Sequence, residues 1–203
     1  MLKVKMIVVG PLGANCYLAV DPETNSGVII DPGADKDKIL RAVDRSGAQF
    51  TAVINTHGHF DHTAADIVKK ELGIPLFIHK KDMPIFQNGL ADQMMLLGFG
   101  PAEEMPDPDR FLEEGDEIEV GKEKLTVWHT PGHTPGGICL LGDGLIFTGD
   151  TLFCEGVGRT DLEGGSEEDL EKSLARLFRL PGGTLVYPGH GPSSIIENER
   201  PVV

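Results

Sequence analysis

Residues 56–62 read Thr56-His57-Gly58-His59-Phe60-Asp61-His62. Three imidazoles and a carboxylate fall within six residues, His57 to His62. The apolar run Phe50 to Ile54 just ahead of them has the length of a buried strand. The segment behind them carries Ala64, Ile67, Val68 and Leu72 on one helical stripe, and Gly73-Ile74-Pro75 stops it. The cluster therefore sits on a strand-to-helix loop, where a rigid scaffold offers functional side chains. His57 and His59, two apart across a turn, can converge on one metal ion. Asp61 and His62, at the entry to the helix, can address a second. Gly58 lets the backbone turn tightly between them. Four potential ligands packed this densely argue against a polar loop that merely carries surface histidines.

The rest of the chain alternates short strands with helices. Val4 to Val9, Asn15 to Val20 and Gly27 to Ile30 are apolar runs punctuated by Pro11-Leu12-Gly13 and Asp21-Pro22. Residues 35–45 read as a helix with Ile39, Leu40 and Val43 on one face, ended by Ser46-Gly47. Strands return at Leu125 to Thr130, Gly137 to Leu141 and Leu145 to Thr148. Ser166 with Asp169 three positions on resembles a capping box, and Leu170, Leu174, Leu177 and Phe178 give its helix a buried face. Thr184 to Tyr187 is the last strand. The pattern is that of an α/β protein with two sheet-forming halves and helices outside.

Length and charge bound the partners. The 203 residues suit one domain, 1–203, and a chain of that size buries a sizeable core. Net charge is −14, from 18 basic and 32 acidic residues, so nucleic acid and anionic membranes are repelled. No apolar run reaches the roughly 18 residues of a membrane helix. Met6-Ile7-Val8-Val9, cut by Gly10-Pro11, is too short for a signal-peptide core, which points to the cytoplasm. Cys16, Cys139 and Cys154 form no disulfide framework; Cys16 and Cys139 fall in apolar runs and are expected to be packed.

One cluster cannot close two metal sites, but further ligands follow. His133 stands in Thr130-Pro131-Gly132-His133, Asp150 in Thr148-Gly149-Asp150, and His190 in Tyr187-Pro188-Gly189-His190. Each follows a glycine and, before that, a strand. The ordered set HxHxDH, His, Asp, His resembles the metallo-β-lactamase superfamily, from Asp31-Pro32-Gly33 to His190. The resemblance implies a four-layer αββα sandwich with the metals at one edge of the two sheets. It implies that His57, His59 and His133 bind one divalent ion, that Asp61, His62 and His190 bind another, and that Asp150 bridges them. Zinc is the first expectation, with iron and manganese open for such nitrogen and oxygen ligands. Asp31 is expected to orient the histidine loop. The implied chemistry is hydrolysis by a metal-bridging hydroxide, with Asp61 and Asp150 as the catalytic carboxylates.

Within that superfamily, Gly156-Val157-Gly158-Arg159-Thr160-Asp161 and the Tyr187 to Pro192 stretch resemble the glyoxalase II-like hydrolases. These cleave hydroxyacyl-glutathione thioesters, so a small-molecule thioester is the expected partner. Only 13 residues follow His190, so the C-terminal helical domain that holds glutathione in the full-length enzymes is expected to be missing. Arg159 and Asp161 are either substrate contacts or an ion pair that braces their loop. Met94, Met95, Leu96, Leu97 and Phe99 form either a lid over the metals or a helix packed on the core. Cys154 is a candidate lining residue of the pocket, while His79 and His129 are expected to be structural. Three other readings stay open: a mononuclear iron persulfide dioxygenase using the equivalents of His57, His133 and Asp150, a lactonase or other ester hydrolase, and a metal-binding protein without turnover.

Overall fold

Strict alternation along the strands divides the core into three apolar layers. In the computed structural model, which describes residues 1–88 and 105–200, β1 (Lys3–Val9), β2 (Ala14–Val20), β3 (Ser26–Ile30) and β4 (Gln49–Ile54) lie in one sheet with β5 (Leu76–His79) and β6 (Arg110–Leu112). Its order is β1-β2-β3-β4-β5-β6, antiparallel up to β3 and parallel from β3 to β6. The second sheet has the order β14-β13-β10-β9-β8-β7. It is built from β7 (Glu117–Val120), β8 (Glu123–His129), β9 (Ile138–Gly142), β10 (Leu145–Gly149), β13 (Leu185–Pro188) and β14 (Ser194–Ile195). Between β10 and β13 the small hairpin β11 (Leu152–Phe153) with β12 (Gly156–Val157) stands apart.

Tyr17, Ala19, Val28, Ile30, Ala52 and Ile54 of the first sheet pack against Val127, Leu140, Leu145 and Phe147 of the second. Their sequence neighbours Cys16, Leu18, Ile29 and Val53 point the other way, onto Ile39, Ala42 and Val43 of helix α1 (Lys36–Ser46). Cys139, Ile146 and Val186 likewise turn from the second sheet toward Leu177. Successive side chains of a strand face opposite sides, so the central strands β2, β3 and β10 bury both faces, while β1 and β7 at the sheet edges expose one. The result is helix, sheet, sheet, helix: the four-layer sandwich that the sequence implied.

One helix departs from expectation. The stripe through Ala64, Val68 and Leu72 is two short helices, α2 (Phe60–Thr63) and α3 (Val68–Leu72). The Ala65 N–H bonds to Pro32 O rather than within a helix, and Asp66 turns inward to accept from Asn55 Nδ2. Ala65, not Ala64, is therefore on the core side. Beyond β5 come a 3-10 turn (Lys80–Asp82) and α4 (Met83–Asn88). On the far face lies α5 (Glu167–Leu177), where Ser166 Oγ accepts the Asp169 N–H, followed by the short α6 (Ile196–Glu199). The proposed lid, Met94 to Phe99, lies outside the described residues. Among those described, no helix is long and apolar enough to cross a membrane.

The parallel strands set the direction of the site. β3, β4, β10 and β13 all deliver their C-terminal ends to one edge, where ligands collect in α/β sheets. There Asn15 N–H donates to Gly189 O, Tyr17 OH to Pro188 O, and Ile138 N–H to Thr56 O, tying the two sheets together. Phe147 is the largest apolar side chain of the second sheet at this seam, in ring contact with Tyr17 at 5.2 Å and Tyr187 at 5.3 Å. Phe147→Ala is expected to cost about 3–5 kcal/mol in unfolding free energy, measured by denaturant titration.

Candidate metal centre

Three strand ends and one antiparallel turn bring the predicted ligands together. The loop after β4 carries His57 and His59, then Asp61 and His62 in the first turn of α2. Asp150 follows β10, His190 follows β13, and His133 comes from the turn between β8 and β9. His57, His59 and His133 offer ring nitrogens within 4.8 Å of one another, and so do the donor atoms of Asp61, His62 and His190. His59 Nδ1 faces His133 Nε2 at 2.9 Å, and His62 Nε2 faces His190 Nε2 at 3.2 Å. Asp61 Oδ2 is 3.3 Å from His190 Nε2 and 3.7 Å from His62 Nε2. Asp150 spans both groups: its Oδ1 is 3.4 Å from His62 Nε2, and its Oδ2 is 3.6 Å from the Nε2 atoms of His133 and His190.

The residues fit metal ions. His57 Nε2 and Asp150 Oδ1 are buried without a hydrogen-bond partner among the described residues, an arrangement that costs free energy unless a cation completes it. Nitrogen and carboxylate donors without sulfur suit zinc, iron or manganese. Close approach also dictates Gly189. A Cβ there would lie 2.0 Å from Asp150 Oδ1 and 2.8 Å from His62 Cε1.

Neighbouring groups aim the rings. Asp31, buried at the end of β3, accepts from Thr56 N–H and Thr56 Oγ1–H, both at 2.7 Å. Its Oδ2 also lies 3.1 Å from His62 Nδ1. A carboxylate can only accept, so His62 carries its proton on Nδ1 and presents Nε2 to the site. Thr56 has given its one proton to Asp31, so it accepts from His57 Nδ1–H at 3.1 Å, which frees His57 Nε2. His133 Nδ1–H donates to Arg159 O at 2.7 Å, freeing its own Nε2. Asp31, His57 and His62 also form a third potential ligand group, but both oxygens of Asp31 are already engaged. Such partners of metal-binding histidines fix tautomer and orientation.

The two groups differ in charge. Burial and the imidazoles around it push His57 well below its ordinary pKa, and burial beside His133 takes His59 to about 4. Both are neutral near pH 7 and ready to bind. Burial opposes charge on His62 too, but Asp150, Asp61 and Asp31 outweigh it and raise its pKa to about 10. His190 is raised in the same way, against its burial, by Asp61 and Asp150. Asp61 is held below the carboxylate range by His62 and His190 despite burial, whereas burial pushes Asp150 up.

The remaining candidates lie apart. Arg159 and Asp161 pair with each other at 2.6 and 2.7 Å, their side chains 62% and 67% exposed. The main-chain carbonyl of Arg159, rather than its guanidinium, reaches the site. Cys154 is half-buried in the turn of the β11–β12 hairpin, and the preceding Phe153 ring stands edge-on to His190 at 6.2 Å. His79 and His129 stack on each other at 4.4 Å and join neither group. Cys16 and Cys139 are buried and free. Thr56, Phe153 and the Arg159 carbonyl were missed in the sequence; only the position of Thr56, directly before His57, hinted at a role.

The family description "Metallo-beta-lactamase superfamily" matches residues 9–190. The chain belongs to that superfamily. The hydroxyacylglutathione hydrolase GloC of Haemophilus influenzae is 32% identical, with 98% of this chain and 95% of GloC covered. The crystal structure of the BLEG-1 B3 metallo-beta-lactamase superposes with a TM-score of 0.88 at 32% identity, covering 97% of this chain and 96% of the other. TTHA1623 in a di-iron-bound form superposes with a TM-score of 0.86 at 36% identity, covering 96% of each chain. The superfamily thus accounts for the sandwich and the His/Asp clusters.

Loading the centre must displace the protons that the carboxylates hold on His62 and His190. Ion binding by metal-free protein is therefore expected to release about one to two protons per chain at neutral pH. Apparent affinity should rise with pH toward about 10, where His62 loses its proton unaided. Calorimetric zinc titrations in buffers of different ionisation enthalpy measure the release directly.

Proposed function

We propose that the protein is a binuclear metal-dependent hydrolase of thioesters of the hydroxyacyl-glutathione type. The observation that carries the reading is Asp150, whose carboxylate reaches both ligand trios, with Oδ2 beside His133 and His190 and Oδ1 beside His62. His57, His59 and His133 would hold one ion, Asp61, His62 and His190 the other, and Asp150 would stand between them. A pair of divalent ions there supplies a water acidified to hydroxide at neutral pH and a Lewis acid for an acyl carbonyl.

The side chains of the chain do the positioning. Asp31 and Thr56 keep His57 and His62 in the tautomers that bind. Asp61, kept ionised because His62 and His190 lower its pKa, would serve as an anionic ligand, too weak a base to carry protons at neutral pH. Phe153 places an apolar edge against His190, a wall for the acyl chain. A thiolate departs without needing a proton, so the site does not have to supply an acid, as it would for an amine. The similarity to GloC favours a thioester; the equal identity to BLEG-1 makes a β-lactam the natural competitor. Zinc is the first choice of ion, and the di-iron form of TTHA1623 makes iron the second.

The test combines elemental analysis with turnover of S-lactoylglutathione, an acyl-coenzyme A, a homoserine lactone and a chromogenic β-lactam. The expected outcome is about two ions per chain and highest kcat/KM on a thioester. Asp150→Asn is expected to lower kcat by roughly 10²–10⁴. One iron per chain with oxygen uptake on glutathione persulfide would replace the hydrolase by a dioxygenase. Two ions with the lactone or the β-lactam preferred would keep the centre and change the substrate.

A further inference from the structure

The buried carboxylate of Asp82 belongs to neither ligand group, yet it touches both loops that carry the first one. Its Oδ2 accepts from Gly58 N–H at 2.8 Å and from Thr134 Oγ1–H at 2.7 Å, and its Oδ1 accepts from Gly136 N–H. Gly58 stands between His57 and His59, and Thr134 directly follows His133. Asp82 is fully buried at the end of the 3-10 turn after β5. It therefore reaches the centre from a third element, independent of β4 and β8.

Glycine is required at both contact points. A Cβ on Gly58 would come within 2.8 Å of Asp82 O, and one on Gly136 within 2.6 Å of Asp82 Oδ1. The two loops have given up side chains where they meet this one residue, Gly58 against its main-chain carbonyl and Gly136 against its carboxylate. Three donors converge on that carboxylate, and hydrogen bonds to an ionised carboxylate are stronger than neutral ones.

We propose that Asp82 is the positioning residue of the first metal group: it clamps the His57–Gly58–His59 turn to the His133 loop so that three ring nitrogens converge before an ion arrives. Asp31 serves the histidines through ring tautomers; Asp82 serves them through the backbone that carries them. The inference rests on the reading that His57, His59 and His133 hold an ion. Loss of Asp82 loosens the separation of the two loops and leaves Asp61, His62 and His190, which Asp31 and β13 hold, as they were.

The test is cobalt(II) binding by the full chain, followed by its visible absorption and by chelator competition. His59→Ala marks which binding class belongs to the first group. Asp82→Asn keeps size and shape but turns one acceptor oxygen into an amide that faces N–H donors. It is expected to weaken that marked class about 10- to 100-fold and leave the other unchanged. In the double variant with His59→Ala, the surviving class should match that of His59→Ala alone. Thr134→Val, which removes one bond and leaves the carboxylate, should weaken the same class about fivefold. Unchanged affinities beside a lowered Tm would make Asp82 a structural brace and overturn the proposal. So would equal weakening of both classes, or unchanged affinities in a folded Thr134→Val. The number of classes in the unmutated protein tests the two-ion reading separately, since a single class that His59→Ala abolishes still reports on Asp82.

Discussion

The Asp31 carboxylate is the interaction on which the metal centre depends. It sits directly after β3 with a left-handed backbone, φ 51°, a conformation uncommon outside glycine and, among other residues, best tolerated by aspartate, asparagine and histidine. Its N–H is held by Ile54 O at the end of β4, and its side chain takes hydrogen bonds from Thr56 and His62. One carboxylate thereby sets a histidine in each ligand group, His62 directly and His57 through Thr56. Unfavourable backbone geometry of this kind persists only where surrounding contacts over-determine it, and here both β4 and the histidine loop do so.

The sandwich makes that local arrangement useful. Neither sheet owns a complete site: the first supplies His57, His59, Asp61 and His62, and the second supplies His133, Asp150 and His190. The ligands converge only because Tyr17, Phe147 and their neighbours hold the sheets face to face. The seam then continues in hydrogen bonds, from Asn15 to Gly189 and from Ile138 to Thr56, up to the ligands themselves. Rigid strand ends place side chains more accurately than free loops, and accuracy of that order is what a metal centre demands.

Much of this was legible in the sequence, for physical reasons. The HxHxDH spacing is local, and glycine before each later ligand marks a tight turn at a strand end. Near-continuous apolar runs in β2, β3 and β4 betray strands buried on both faces. What escaped was set by tertiary contact. The split between α2 and α3 depends on Pro32 O and Asn55, remote in the chain from Ala65 and Asp66. β6 and β7 are three and four residues long, too short to show a period. Arg159 drew attention for its guanidinium, while its carbonyl does the bracing, and a carbonyl leaves no trace in sequence. Asp82 follows two lysines and looks like any surface acid until Gly58 and Gly136 are seen against it.

Charge balance links the centre to the acidity of the whole chain. Two divalent ions would bring four positive charges into a region sealed by the sheets. Asp61 and Asp150 supply two negative charges among the ligands, and the histidines supply none once their protons leave. Asp31 and Asp82 are buried just behind, and the three donors on Asp82 oppose the rise that burial gives its pKa. Asp66, also buried nearby, has its pKa pushed well above the ordinary range by burial and by Asp31, so it stays neutral and outside the count. Carboxylates in and behind the ligand set would offset part of the charge of two ions, which limits the desolvation cost of burying them. The carboxylates that do not ligate are then as much part of the metal's environment as those that do. A net charge of −14 also draws divalent cations toward the molecule, which gives the acidic surface a role beyond solubility.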